Sequence, residues 1–591
     1  MSDAIKRARE FLSRERTFRL GELLTESSHP KTKTLSQTAA VDLHAAIKLL
    51  QSVDDEIPPA MKKALQQDSF RELVEAFVKA LSTGKRIYFT GCGATGRLSI
   101  LLEAAWRRFW RKLKQVCPEI GVEISEMGDR VCSMMAGGDF ALIKSVEGYE
   151  DFPDFGRYQL REKHVQADDV VVAITEGGET PFVIGTAWEG LDAGARVFFV
   201  YNNPTELLCR HVKRSREVIE EPRITKLDLT TGPMAITGST RMQATTAELF
   251  VVGSAFEIAL VRFLQKRLSP NYVAKLGLKE HEPGDYHRLL SELLEQLSSP
   301  KAVDMLARAT RFEESIYHRG GLVTYMADSF LLDVLTDTTE RSPTFMLPPF
   351  RKYGDSRSPS SWAFVKDPFR TTEKAWHALL QREARGLKWS RKVYEELKAP
   401  AGLKAQPPKL DNSEIYKFMI GNEPDPSRTD APDSALVVIT ARGETDRLIR
   451  TALQEFGSQY KRTATLVVGT VDVTAPADET FQFPCSLADS PLQLWHHLAI
   501  KLILNTLSTA TMVRMGRVIG NAMVWLSPSN KKLIDRGSRL IAQQTGCSYE
   551  QACIALHEAM EEVESGQRQG QEVSSPVALA IERLRGRGER S

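Results

Sequence analysis

Three short stretches place glycine beside hydroxyl residues: GCGATGR at 91–97, ITEGGET at 174–180 and ITGSTR at 236–241. In the first, Gly91, Gly93 and Gly96 let the backbone turn sharply and approach a ligand, with Ala94 and Thr95 ahead of a helix whose free N–H groups and dipole favour an anion. In the second, Thr175, Gly177, Gly178 and Thr180 offer another set of amides and hydroxyls. The third adds Thr237, Ser239, Thr240 and Arg241. No Lys follows the last glycine of the first stretch, so it is not a Walker A loop, and it lacks the acidic partner of a dinucleotide fingerprint. Amides and hydroxyls for a phosphate, with carboxylates for sugar hydroxyls, suit a phosphosugar.

These turns need strands that deliver them to one sheet edge. RIYFTG, DDVVVAIT and RVFFVYNN read as buried parallel strands, and RLSILLEAAWRRFW and TPFVIGTAWEGLDAG as the helices between them. GLVTYM, SALVVITA, ETDRLIRTALQEFG and TATLVVGT repeat the plan. ITEGGETPFVIGTA from Ile174 and ITARGETDRLIRTA from Ile439 match at eight of fourteen positions. A repeat that long implies two homologous lobes rather than a solenoid. The expected fold class is α/β, two doubly wound parallel-sheet lobes about a pseudo-twofold axis, with N-terminal helices and a C-terminal helical cap.

The expected organisation is a helical segment at 1–60, a first lobe with the ligand site at 61–265, linking helices at 266–315, a second lobe at 316–494 and a helical cap with a basic tail at 495–591. The stretch 347–413, rich in Pro, Ser and charge, reads as an insertion with a helical middle and flexible ends.

The 591 residues carry 78 Lys and Arg against 76 Asp and Glu, a net charge of +2, which gives no reason to expect nucleic acid or an anionic membrane as partner. The charged N-terminus has no signal-peptide core, and no stretch reaches the roughly 18 apolar residues of a membrane span. Seven scattered cysteines with no CxxC pair suggest reduced thiols in a cytoplasm, with no metal site and no cofactor. The tail RLRGRGERS reads as a solvated disordered end. WRRFWRKLK at 106–114 reads as a half-buried helix with snorkelling cations.

GCGATGRL, AGGDFALIKSVEGYED, ITEGGETPFVIG and ITGSTRM resemble, in order, the sugar isomerase (SIS) domain of the N-acetylmuramic acid 6-phosphate etherases. LLTESSHPKTKTL resembles that family's N-terminal signature, and IKLILNTLSTATMVRMGRVIGNAMVWLSPSNKKLIDR with TGCSYEQACIAL its C-terminal helices. A second lobe between these parts resembles the glucokinase regulatory protein family, which also carries two SIS lobes. The resemblance implies a phosphosugar, such as a hexose 6-phosphate or an amino-sugar 6-phosphate, held by Gly93, Thr95, Gly96, Glu147, Glu150, Thr175, Gly177, Ser239 and Lys501. It also implies a sugar-kinase partner as an option. Departures are Glu179, where the relatives have a small hydroxyl or a basic residue, and Gln243, where they have Lys; both disfavour a dianion.

The resemblance further implies chemistry. In the etherases one Glu removes the proton beside the open-chain carbonyl and a second protonates the leaving lactate oxygen. The base position matches Glu150, while the acid position holds Ala105. Glu103 lies two residues earlier, about 200° round the helix. The expectation is therefore a phosphosugar sensor or regulator without efficient catalysis. An etherase-like lyase remains the alternative, through His29, Glu176 or Glu179. In the second lobe, ADSFLLDV has no glycine, so that lobe is expected to be structural, although Thr440, Gly443 and Thr445 keep one turn and leave room for a different ligand.

Overall fold

A computed structural model describes residues 3–15, 20–117, 126–146, 148–441, 445–470, 477–528, 530–568 and 575–588. In the first lobe, β1 (Ile87–Gly91), β2 (Val131–Met135), β3 (Val170–Thr175), β4 (Arg196–Tyr201) and β5 (Ile224–Asp228) form a parallel sheet in the order β2-β1-β3-β4-β5. The second lobe repeats it with β6 (Leu322–Met326), β7 (Ala363–Lys366), β8 (Ser434–Ala441), β9 (Arg462–Val468) and β10 (Glu479–Phe483), in the order β10-β9-β8-β6-β7. The duplicated segments fall on β3 and β8, the central strand of each sheet. Both lobes are thus α/β with one topology.

Strands β5, β7 and β10 are absent from the reading of the sequence, and all three lie at sheet edges. A central strand is buried on both faces and reads as a continuous apolar run, whereas an edge strand tolerates polar residues. ITKLD and ETFQF are each only partly buried, and AFVK is four residues long. The stretch 347–413 is correspondingly more than an insertion, because it contributes β7. Its middle is helical, at Thr372–Leu380 and Arg391–Glu396, and its far end folds back on the first lobe.

There Arg382 bonds Asp139 (2.5 Å) and Glu103 (3.1 Å), and Arg385 donates to Glu103 at 3.0 Å. Glu103 also accepts from the Ser133 hydroxyl at 2.5 Å, and this ring of donors outweighs burial and holds its carboxyl well below the usual range. Glu103 is therefore a fastening between lobes, on the helix face away from the ligand. Replacing the partly exposed Arg385 with Ala should cost about 1.5 to 3 kcal/mol, the worth of a hydrogen bond to a charged group. A lowered urea midpoint would report it, and an unchanged midpoint would show that Arg382 alone suffices.

The helix Gly93–Val116 that follows β1 packs against Leu331–Phe345, the helix that follows β6, so equivalent helices meet between the lobes. Leu494–Arg514 packs on both Gln243–Gln265 and Leu331–Phe345. Trp106 is buried and stacks on Phe256 with ring centres 5.0 Å apart, so WRRFWRKLK has an apolar face turned inward. The basic tail departs from the expected disordered end, since Pro576–Gly588 is helical and carries Arg583 and Arg585. Among the described residues no helix is long and apolar enough to cross a membrane.

Candidate functional site

At the carboxyl ends of β1, β2 and β3 lies a cavity of about 240 Å³. It opens where the first lobe, the second lobe and the C-terminal cap meet. Cys92 caps the helix Gly93–Val116, and the Thr95 hydroxyl closes the turn by accepting from Cys92 N (3.0 Å) and donating to Cys92 O (2.8 Å). Gly93 has φ +52°, and a Cβ on Gly96 would stand 2.5 Å from Met135 Cγ, so the turn requires glycine at both positions. The helix begins at Gly93, so Ala94 and Thr95 lie within its first turn rather than ahead of it. Gly93 and Ala94 present that N-terminus to the cavity.

Of the residues implied by resemblance, Gly93, Glu150 and Ser239 line the cavity, and so do Glu176, Thr180, Thr240 and Arg241. Thr95, Gly96, Thr175, Gly177 and Glu179 stand behind this lining. Thr175 bonds the Thr180 hydroxyl at 3.0 Å, and Gly177 O accepts from Asn203. Lys501 is set apart: its ammonium donates to Arg241 O (2.9 Å), Thr246 Oγ1 (2.8 Å) and Asn505 Oδ1 (2.8 Å), and it lines a smaller neighbouring cavity that shares Arg97, Arg241 and Glu340 with the main one. Glu147 lies outside the described residues, as does Gly443 of the second lobe.

Glu179, the departure expected to disfavour a dianion, does not face the cavity as a free charge. It is buried between Arg214 (2.5 Å) and Lys532 (3.0 Å), which together pull its carboxyl below the usual range despite burial. The charge that seemed to oppose a dianion is neutralised. Gln243 bonds Asp54 at 2.7 Å and also lies away from the cavity. His29 caps a short turn by accepting from Lys31 N and sits 3.2 Å from Glu56, so it is not part of the cavity lining.

The cap supplies what the motifs did not reveal. Asn530 caps the helix Lys531–Thr545 and donates to Glu150 Oε1 at 2.8 Å. Lys532 and Arg536 follow on that helix and line the cavity, giving it a second helix N-terminus and two further cations. Arg536 is fixed by Glu26 of the TES signature, at 2.6 and 2.9 Å. With Arg97 and Arg241, four cations border the space. Arg241 bonds Asp337, Ser508 and Thr509, yet its buried Nε has no partner.

The second lobe is not merely structural, since Glu340, Pro343 and Thr344 line the same cavity. Glu340 lies on Leu331–Phe345, the helix that packs against Gly93–Val116 from the other lobe. The second lobe thus brings to the cavity a carboxylate that the first-lobe helix, with Ala105 at the acid position, does not supply. Arg97 holds it at 3.6 Å. No motif in the first lobe points to it. Burial raises the Glu340 carboxyl against the pull of Arg97, and it raises Glu150 against Lys532. Glu176, buried with Thr245 at 3.4 Å, is pushed up to about 7. Carboxyls raised by burial in a cavity are candidates for moving protons.

The loop carrying Glu150 is also braced by the second lobe. Trp389 stacks on Tyr149 at 5.8 Å and donates to Glu162 at 2.8 Å, while the Tyr149 and Tyr394 hydroxyls bond one another.

Residues 69–189 match the family model described as the glucokinase regulatory protein N-terminal SIS domain. The N-acetylmuramic acid 6-phosphate etherase of Pectobacterium atrosepticum is 30% identical over 233 residues, covering 39% of this chain and 67% of the relative. That of Salinibacter ruber is 30% identical over 244 residues, covering 41% and 69%. Among solved structures, tagatose-6-phosphate ketose/aldose isomerase from Escherichia coli aligns over 82% of this chain and 96% of its own, with 10% identity and a TM-score of 0.42. On the strength of the etherase relatives, the chain belongs to the SIS-domain family that includes the N-acetylmuramic acid 6-phosphate etherases and the N-terminal SIS domain of glucokinase regulatory protein.

Proposed function

We propose that the cavity binds an amino-sugar 6-phosphate and that the protein is a cytoplasmic carbon–oxygen lyase of the etherase type. The observation that carries this reading is Glu340, a carboxyl raised by burial that the second lobe brings into the same cavity wall as Glu150. The phosphate sits against the two helix N-termini and the cations of the cap. Glu150 takes the proton from the sugar carbon beside the open-chain aldehyde. The bond from the next carbon to the lactyl oxygen breaks as a carbon–carbon double bond forms, and Glu340 gives its proton to the departing oxygen.

Incubation of N-acetylmuramic acid 6-phosphate in deuterated water tests the base directly. NMR should show loss of the proton beside the carbonyl with the wild type and its retention with Glu150→Gln. Retention with both proteins would contradict the assignment.

A second reading, a sensor that binds the phosphosugar without turnover, is favoured by the hydrogen bond from Asn530 to Glu150, which engages the base position. Under it, binding persists and no variant or wild type releases lactate.

A further inference from the structure

The second lobe has a cavity of its own, about 260 Å³, that shares no lining residue with the first. It lies between the loop leading into β7 and the segment preceding β8. The main cavity uses the carboxyl ends of the strands. This one sits at the opposite end, since Arg428 donates to Val323 O (2.7 Å) and Ser361 O (2.9 Å), at the amino ends of β6 and β7. It is therefore not the repeat of the first-lobe site.

Two observations point to a ligand. Arg428 is buried, bonds only neutral oxygens, among them Thr324 Oγ1 at 2.8 Å, and forms no ion pair among the described residues. Burial lowers it to about 10, with Arg351 pushing the same way and Asp425 opposing. A buried cation without an ion-pair contact is costly unless an anion completes it. Ser361, also buried, lines the cavity with a hydroxyl that has no hydrogen-bond partner. An orphaned polar group in a lined cavity calls for a ligand atom.

The other polar groups define the class. Arg351 reaches Ser358 O at 3.1 Å with one nitrogen. Lys352 is spent on Glu414. Asp355 accepts from the N–H groups of Arg357 and Ser358, and Asp425 accepts from the Ser427 hydroxyl at 2.6 Å. Each Asp has a second oxygen suited to a hydroxyl donor. Tyr353, 73% exposed, stands at the rim as a face for an apolar or ring segment.

We infer that this cavity is a second ligand site, taking a small hydroxyl-bearing phosphate ester whose phosphate lies against Arg428, Arg351 and Ser361 and whose hydroxyls meet Asp355 and Asp425. Charge-assisted bonds to the guanidinium groups supply the affinity. The inference is independent of the chemistry proposed for the first cavity.

Calorimetric titration of the full chain with glycerol 3-phosphate and with inorganic phosphate tests it, using wild type, Ser361→Ala and Arg351→Gln. Ser361→Ala removes only the orphaned hydroxyl from an otherwise packed position, and Arg351→Gln changes a partly exposed side chain, so near-UV circular dichroism should confirm both folded. The expected result is one glycerol 3-phosphate binding event weakened about tenfold or more in each variant, and tighter in the wild type than inorganic phosphate. Superimposable isotherms for all three proteins, or no binding by the wild type, would overturn the site. Equal affinity for the two probes would overturn the assignment to an ester.

Discussion

Glu340→Gln is expected to lower kcat for lactate release by about 10²- to 10⁴-fold, the contribution of a positioned general acid, with KM little changed. The effect belongs to a residue outside the lobe that carries the glycine turns. Exchange of the proton beside the carbonyl should survive in this variant, because Glu150 is untouched, and so separate the acid from the base. The pH profile carries the same signature. The base must be ionised and the acid protonated, so kcat/KM should be bell-shaped, with both limbs displaced above the ordinary carboxyl range because burial raises Glu150 and Glu340. Glu340→Gln should remove the alkaline limb. Should Glu176→Gln remove it instead, the acid is Glu176, which already lies near 7.

The second large effect is structural and reaches the site through the cap. Glu26 is buried and paired with Arg536 (2.6 Å) and Arg539 (2.8 Å), and these guanidinium groups hold its carboxyl far below the usual range against the opposing effect of burial. Glu26→Ala leaves the buried Arg536 without its counter-charge and Arg539 with Asp535 alone, and should cost about 3 to 5 kcal/mol. It also frees Arg536 from its place in the cavity wall, so phosphosugar affinity should fall with stability. Because the folded-state pKa is depressed, this stabilisation is fully present above the unfolded carboxyl pKa of about 4.3 and is lost as pH falls below it. Glu26→Gln should therefore flatten the acid limb of a thermal-stability profile. A variant as stable as the wild type, with an unchanged acid limb, would show that the N-terminal segment does not fasten the cap.

What the sequence discloses follows from burial and locality. Central strands such as VVVAIT and SALVVITA are apolar throughout because both faces are covered, so both sheets and their shared topology are legible. Edge strands and the return of residues 381–411 onto the first lobe depend on partners distant in sequence. The glycine turns are equally legible, since φ at Gly93 and the close approach at Gly96 are local demands. The charged wall is not. Glu340, Asn530, Lys532 and Arg536 arrive from elements far along the chain, and each is an ordinary polar residue in its own helix. Thr95 shows the converse: its position in the motif suggests a ligand contact, yet its hydroxyl is consumed within the turn.

The most direct test of a cavity shared by two lobes and acting by elimination is lactate release from N-acetylmuramic acid 6-phosphate by the purified full chain. The account predicts lactate in proportion to enzyme and time, reduced to background by Glu150→Gln and by about 10²-fold or more by Glu340→Gln. Folded wild-type protein that binds the sugar phosphate and releases no lactate would contradict it and leave the cavity a sensor.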